Sequence, residues 1–351
     1  MDRTQKLIGA MAEKGLKAAW MLSPENIRYL TGFAGEGSLF VSEKGAVILT
    51  DFRYIEQAAR ESPGVPVVRT TGDLKAEEAL RNLLEEQGLK SVAIERNLVT
   101  LDTFDRLPKG VEYPSLSGIP ERMRRVKDES ELDLIRKASR IACRAFDEML
   151  SVIRAGMTEK EVAIELNNRM LRLGSEREAF STIACAGVNG ALPHAVPTDH
   201  VLAEGELLTL DFGAQVGGYK TDMTRTVAIG KVSDELKSVY DAVLTAQGMA
   251  LDAIRAGVSC REVDKTARDY LDARYPDAFG HGLGHSVGLF IHEGPQLSAK
   301  SEDVLEVGQV MTVEPGVYIP GLGGCRIEDI VVITATGYEN LIDAPKHLIV
   351  L

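Results

Sequence analysis

Apolar and polar residues alternate through residues 207–228, LLTLDFGAQVGGYKTDMTRTVA, on both sides of a Gly217-Gly218 pair. This is the pattern of a β-hairpin with a two-residue turn. With the glycines as the turn, Val216 faces Tyr219, Asp211 faces Thr224 and Asp222 faces Gly213. One face then carries Thr209, Asp211, Asp222, Thr224 and Thr226. The other carries Leu208, Leu210, Phe212, Met223 and Val227, with Arg225 as its exception. Asp211 and Asp222 become diagonal neighbours roughly 5–8 Å apart. Two like charges that close need water or a cation between them, so the face is either solvated or a metal site.

Upstream, the periodicity predicts a small α/β domain over residues 1–120. An amphipathic helix ends at Gly15, a strand covers residues 18–22, and a hairpin pairs 38–41 with 46–50 around Glu43-Lys44-Gly45. Residues 74–87 read as a helix stopped by Gly88, and 91–94 as a returning strand, for about five strands in all. Pro108, Gly110, Pro114, Gly118 and Pro120 form the strongest linker signal, and the second domain is placed at 121–351. There Asp128 with Glu131, and Thr158 with Glu161, are capping boxes, and Gly174 ends the second helix.

The second domain repeats itself. Ile-Arg-Ala-Gly stands at 153–156 and again at 254–257, each time before a capping-box pattern: Thr158 with Glu161, then Ser259 with Glu262. Downstream, Gly205 to Asp211 (GELLTLD) matches Gly308 to Glu314 (GQVMTVE), with the acid six residues after the glycine in both. Each acid has a second one further on, Asp222 and Glu328. The shared order implies two similar α+β halves whose acidic strand faces converge.

Composition narrows the function. A chain of 351 residues with 44% hydrophobic and 26% charged residues is an ordinary globular protein. A net charge of −12 argues against a nucleic-acid partner. No apolar run is long enough to span a bilayer, and Glu13, Lys14 and Lys17 break the N-terminal stretch as a signal peptide. Cys143, Cys185, Cys260 and Cys325 are widely spaced and read as reduced thiols of a cytoplasmic protein.

Four carboxylates from two halves cannot stay ionised in one cleft without positive charge. Lys220, Arg225 and Arg326 are the nearby bases, and Arg326 lies on the strand of Glu328 in this reading. Three of the six histidines, His281, His285 and His292, fall in GHGLGHSVGLFIHEGP, where the glycines favour a tight backbone over a helix. Oxygen-rich donors with an imidazole suit a pair of manganese, cobalt or zinc ions in a hydrolase.

The strings LDFGAQVGGYKTDMTRT, GHGLGHSVG, HEGP, TVEPGVYIPGLGG and RIED together resemble the metallopeptidases with the pita-bread fold, and among them the Xaa-Pro peptidases, prolidase and aminopeptidase P. The resemblance implies an α+β pita-bread (creatinase/aminopeptidase) catalytic domain with a pseudo-two-fold repeat behind a smaller α/β domain, and a homodimer. It places two divalent ions, manganese before cobalt or zinc, on Asp211, Asp222, His285, Glu314 and Glu328, with Asp222 and Glu328 bridging. It assigns His194, His281 and His292 to the cleft and Arg326 beside the last ligand. On those positions Glu314 relays a proton to the leaving imino nitrogen, His292 donates to the oxyanion, and His194 and His281 position a proline-containing peptide. Thr224 is expected to bond a ligand carboxylate.

Methionine aminopeptidase shares the five ligands but ordinarily lacks such a leading domain; creatinase has the layout without the ligands; non-catalytic peptide-binding relatives have lost them. Some prolidases carry an arginine shortly after the HExP motif, where this chain has Gln296, which leans the expectation towards longer peptides. Asp329, Cys325, His200, His347 and Trp20 read as structural. Glu293 either orients an imidazole or is solvated. Tyr29, Phe33, Phe52, Arg53 and Tyr54 belong to family-like stretches of the first domain that could reach a cleft across a dimer.

Overall fold

In the computed structural model, which describes residues 2–116 and 118–351, the alternating segments near the N-terminus pair into one five-stranded sheet. Its order is Val67–Arg69, Gly45–Thr50, Ser38–Ser42, Ala18–Met21, Ala93–Ile94. Helices Arg3–Ala12 and Ala76–Glu86 bury their apolar stripes, Leu7 and Met11 in one, Ala79, Leu80 and Leu84 in the other. Trp20 sits in this core with its indole N–H donating to Ser38 Oγ at 3.0 Å, a structural role. The chain divides into two compact units, Met1–Arg124 and Arg125–Leu351.

The proline- and glycine-rich stretch is not a free linker. Val92 N and Ile94 N donate to Glu112 O and Pro114 O at 3.0 Å each, and Leu116 N returns a bond to Ile94 O at 2.8 Å. Residues 112–116 thus run alongside the last strand, which proline tolerates at a sheet edge. The first unit then ends in the short helix Ile119–Met123.

In the second unit the repeat is visible bond by bond. Gly156 and Gly257 both adopt positive φ, and their N–H groups donate to Leu202 O (2.9 Å) and Leu305 O (2.8 Å). Helices Glu159–Arg172 and Cys260–Asp272 follow. Gly205 and Gly308, again at positive φ, donate to Ile229 O and Ile333 O at 2.7 and 2.9 Å. Strands Glu206–Phe212 and Val310–Val313 come next, each paired antiparallel with a later strand, Met223–Ile229 and Asp329–Ile333. One half departs from the pattern: Thr158 makes its capping box, but Ser259 makes no side-chain cap, and Glu262 N turns to the Ser259 carbonyl at 3.0 Å.

The hairpin has the expected register, Val216 opposite Tyr219 and Thr224 opposite Asp211, with Gly217 and Gly218 both at positive φ as a primed turn requires. Its threonine and aspartate face is not solvated. Thr209, Asp222, Thr224 and Thr226 are all buried, and Thr226 Oγ1 donates to Arg326 O of the second half at 2.9 Å.

Arg225, the exception on the apolar face, is 1% exposed. It bonds Asp329 Oδ1 at 2.8 Å and donates to the carbonyls of Thr224, Glu328, Ala344 and Pro345. Asp329 also accepts from Lys346 Nζ and Asn340 Nδ2 at 2.7 and 2.9 Å, so it faces away from Glu328 and holds the C-terminal segment. Removing one partner of a buried pair strands the other charge, so Arg225→Ala is expected to cost about 3–5 kcal/mol of unfolding free energy, read from the urea midpoint.

Candidate active site

Close backbone approach positions Asp222 and His285. At Gly213 a Cβ would lie 2.0 Å from Thr221 O, so only glycine lets the hairpin strands pinch there, directly before Asp222. At Gly284 a Cβ would lie 2.1 Å from Thr312 O, and the next residue, His285, donates its N–H to Thr312 Oγ1 at 2.9 Å. The glycines of GHGLGHSVG therefore serve a strand, Gly284–Ser286, whose register shifts between His285 and Ser286. Such a bulge re-aims a side chain. His285 Nδ1–H donates to Ser286 O at 3.1 Å, leaving Nε2 3.4 Å from Glu314 Oε1 and 3.7 Å from Asp222 Oδ2.

The carboxylates are held one oxygen at a time. Asp211 Oδ2 accepts from Arg326 Nη2 at 2.5 Å, Glu314 Oε1 from Thr312 Oγ1 at 3.0 Å, and Glu328 Oε2 from Thr224 Oγ1 at 2.7 Å. Thr224 lies opposite Asp211, yet its hydroxyl serves Glu328. Arg326 likewise reaches Asp211 rather than its near neighbour, because strand Gly323–Arg326 ends before Glu328 and the two side chains are not on one strand. Among the described residues, Asp211 Oδ1, Asp222 Oδ1 and Glu328 Oε1 are buried with no hydrogen-bond partner. Ligand atoms of Asp211, Asp222 and Glu328 lie within 4.8 Å of one another.

Electrostatics gives the same picture. Burial, then the charges of Glu328, Asp211 and Glu314, hold the Asp222 carboxyl far above its usual range. Burial and the charges of Glu314 and Asp211 do the same to Glu328, and burial pushes Glu314 up to about 8. Burial drives His285 down to about 4, so its imidazole is neutral at pH 7. Orphaned, mutually repelling oxygens beside a neutral imidazole fit divalent cations.

A cavity of about 470 Å³ opens over these groups. His194, His281, His292 and Arg326 line it with the four acids and the His285 imidazole, as do Phe180, Ile291 and Gln296. The His292 ring stands edge-on to His285, centroids 4.5 Å apart. Burial pushes His281 down to about 4, and its Nε2 lies 2.9 Å from the Tyr318 hydroxyl. Tyr318 in turn accepts from Arg326 Nη1 at 2.7 Å, which also donates to Pro193 O at 3.2 Å. Tyr318 escaped sequence reasoning although it stands four residues after Glu314 in TVEPGVYIPGLGG; nothing in its spacing marks it.

The remaining residues fall elsewhere. Glu293 neither orients an imidazole nor meets solvent: it is buried against Lys127 Nζ at 3.4 Å and accepts Phe290 N at 3.1 Å. Lys220 donates its backbone N–H to Gly288 O, and its ammonium lies 5.8 Å from the Phe290 ring centroid. His200 pairs with Glu206 at 3.0 Å, and neither it nor His347 lines the cavity. Cys325 is buried, its thiol pushed up to about 12 by burial, which makes it a poor nucleophile. No helix among the described residues is long and apolar enough to cross a membrane.

Residues 133–335, more than half the chain, match the family model of metallopeptidase family M24. The chain belongs to metallopeptidase family M24. Residues 3–126 of this M24 enzyme match the creatinase/prolidase N-terminal domain. An Xaa-Pro dipeptidase structure from Bacillus anthracis is 38% identical, with a TM-score of 0.95 and 99% of each chain covered. An X-Pro aminopeptidase structure from Thermotoga maritima MSB8 is 37% identical, with a TM-score of 0.92 and full coverage of both chains. The Xaa-Pro dipeptidase of Pyrococcus horikoshii is 33% identical over 354 residues, with 99% of each chain covered. The M24 fold, a mixed α+β pita-bread unit preceded by a smaller one, is shared with these structures. M24 enzymes are metallopeptidases, which implies divalent ions at the acidic cluster.

Proposed function

We propose that this enzyme is an Xaa-Pro exopeptidase with two divalent ions, manganese first, held by Asp211, Asp222, His285, Glu314 and Glu328. The observation that carries this reading is the trio of partnerless buried carboxylate oxygens beside His285 in one cavity. Bound ions would supply Lewis acidity and an activated water. Glu314, whose carboxyl burial pushes up to about 8 before a cation binds, would pass a proton towards the leaving imino nitrogen. His292 would donate to the developing oxyanion, and His194 and His281 would orient the peptide, with Arg326 fixing Asp211. A tertiary amide brings no N–H to the site, so a pocket shaped for the proline ring need offer it no partner.

The N-terminal match favours this reading over a methionine aminopeptidase. Gln296 at the cavity wall offers an amide, not a charge, to a terminal carboxylate, which favours peptides longer than Xaa-Pro. A homodimer and a cytoplasmic location accompany the reading. The test compares kcat/KM of the manganese-loaded protein on Xaa-Pro, Xaa-Pro-Yaa and Xaa-Ala-Yaa. The expected order puts Xaa-Pro-Yaa first, at least about tenfold above Xaa-Ala-Yaa. Equal rates on the proline and alanine peptides, or no metal-dependent turnover, would sink the proposal.

A further inference from the structure

Glu159, the first residue of helix Glu159–Arg172, is fully buried, yet it faces no cationic side chain in its hydrogen bonds. Its Oε1 accepts from Ala186 N at 2.7 Å. Its Oε2 accepts from Asn189 Nδ2 at 2.8 Å, Thr198 N at 2.8 Å and Thr198 Oγ1 at 2.7 Å. Four donors on one carboxylate satisfy a buried charge without a counter-ion. What those donors have in common is a loop. Ala186 ends strand Ile183–Ala186, Asn189 lies in the 3₁₀ turn Gly187–Ala191, and Thr198 is where the chain comes back. Both ends of the segment 187–198 therefore converge on a single side chain.

That segment brings Pro193, His194 and Val196 to the cavity wall. The segment has little packing of its own: Val188, Leu192 and Val196 are 61%, 58% and 74% exposed. A loop so sparsely buried belongs to the low-stability end of a fold unless something fixes it. The second half solves the same problem with different residues. Ser286 ends the corresponding strand, and Lys127 Nζ donates to Ser286 Oγ at 2.8 Å and contacts Glu293, so a buried charge also pins the loop that carries His292. The helix position equivalent to Glu159 is Cys260, with no carboxylate.

We propose that Glu159 is a positioning residue of the peptidase, clamping the 187–198 loop so that His194 faces the substrate. It contacts neither the five acidic and imidazole groups nor the cavity. The inference rests on the reading that His194 orients the peptide.

The test uses the manganese-loaded enzyme with Glu159→Gln, Thr198→Val and His194→Ala, and the double variant of Glu159→Gln with His194→Ala. Glu159→Gln turns one acceptor into a donor facing donors and is expected to raise KM for Xaa-Pro-Yaa about tenfold, as loss of charge-assisted bonds does. Manganese stoichiometry and affinity stay as in the wild type, amide exchange accelerates within 187–198, and the KM effect disappears in the His194→Ala background. Thr198→Val, at an exposed residue that does not threaten the fold, is expected to do the same to a smaller degree. Unchanged KM and unchanged local exchange would overturn the clamp. So would an equal KM effect with and without His194, or exchange accelerated throughout the unit. If the wild type cleaves no Xaa-Pro peptide, the functional reading fails, and exchange in 187–198 still decides the clamp on its own.

Discussion

Asp222→Asn is expected to retain the fold and to lower turnover of Xaa-Pro-Yaa by more than about a hundredfold, beyond what changing a ligand's supporting group costs. Asp222 lies among Glu328, Asp211, Glu314 and His285, 5% exposed, with one oxygen that has no protein partner. An amide keeps the shape but replaces one donor oxygen with an NH₂ group that cannot bind a cation. The same substitution removes a carboxyl whose ionisation burial and the neighbouring charges oppose. In the presence of chelator, therefore, the variant is expected to melt higher than the wild type, while with manganese it melts lower. Thermal melts with and without chelator, beside peptide turnover, check both directions. A variant that loses activity and is also less stable without metal would mean that Asp222 supports the fold and not an ion.

The chelated wild type is expected to lose stability as pH rises from 6.5 to 8, and the manganese-loaded enzyme is not. Glu314 titrates at about 8 in the fold against an ordinary 4.5, and Asp222 and Glu328 are raised as well. A carboxyl whose folded value is raised favours the fold most below its ordinary value, and that contribution disappears as pH climbs through the folded value. His281 and His285 work the other way: depressed to about 4 from 6.5, they cost stability only as pH falls below 6.5. Between 6.5 and 8 the histidines complete only the tail of their change, and the acids dominate. A divalent ion binds the ionised acids and reverses the sign, releasing protons as it does so. Melting temperatures at half-unit pH steps in a chelating buffer decide this; a flat or rising curve over that window would show that the acids are not held together in the fold.

Much of the site was legible because local chemistry writes it. Gly217-Gly218 sets the hairpin register, and the matched Gly205 and Gly308 signal two strands of one design, confirmed by the matching hydrogen bonds around them. Capping boxes at Asp128 and Thr158 are four-residue patterns and formed as such. What was not legible was the choice among distant partners. Arg326 had several acids to choose from and took Asp211, 115 residues away; Lys127 took Glu293, 166 residues away. Periodicity says which face a side chain occupies but not which of several charges will lie opposite it. Arg225 looked like an error in an apolar stripe because its partner, Asp329, is on a strand that only the tertiary fold brings near. The proline cluster misled for a related reason: residues 112–116 look like a linker in isolation and become a sheet edge only when the last strand of the first unit is there to receive them.

The central claim, that acids from two related halves surround a pair of cations, is tested most directly by anomalous diffraction from crystals of the manganese-loaded protein. The account predicts two manganese peaks per chain, each within coordinating distance of members of the set Asp211, Asp222, His285, Glu314 and Glu328. Fully active protein with a single peak, or with its metal bound away from those five side chains, would contradict it.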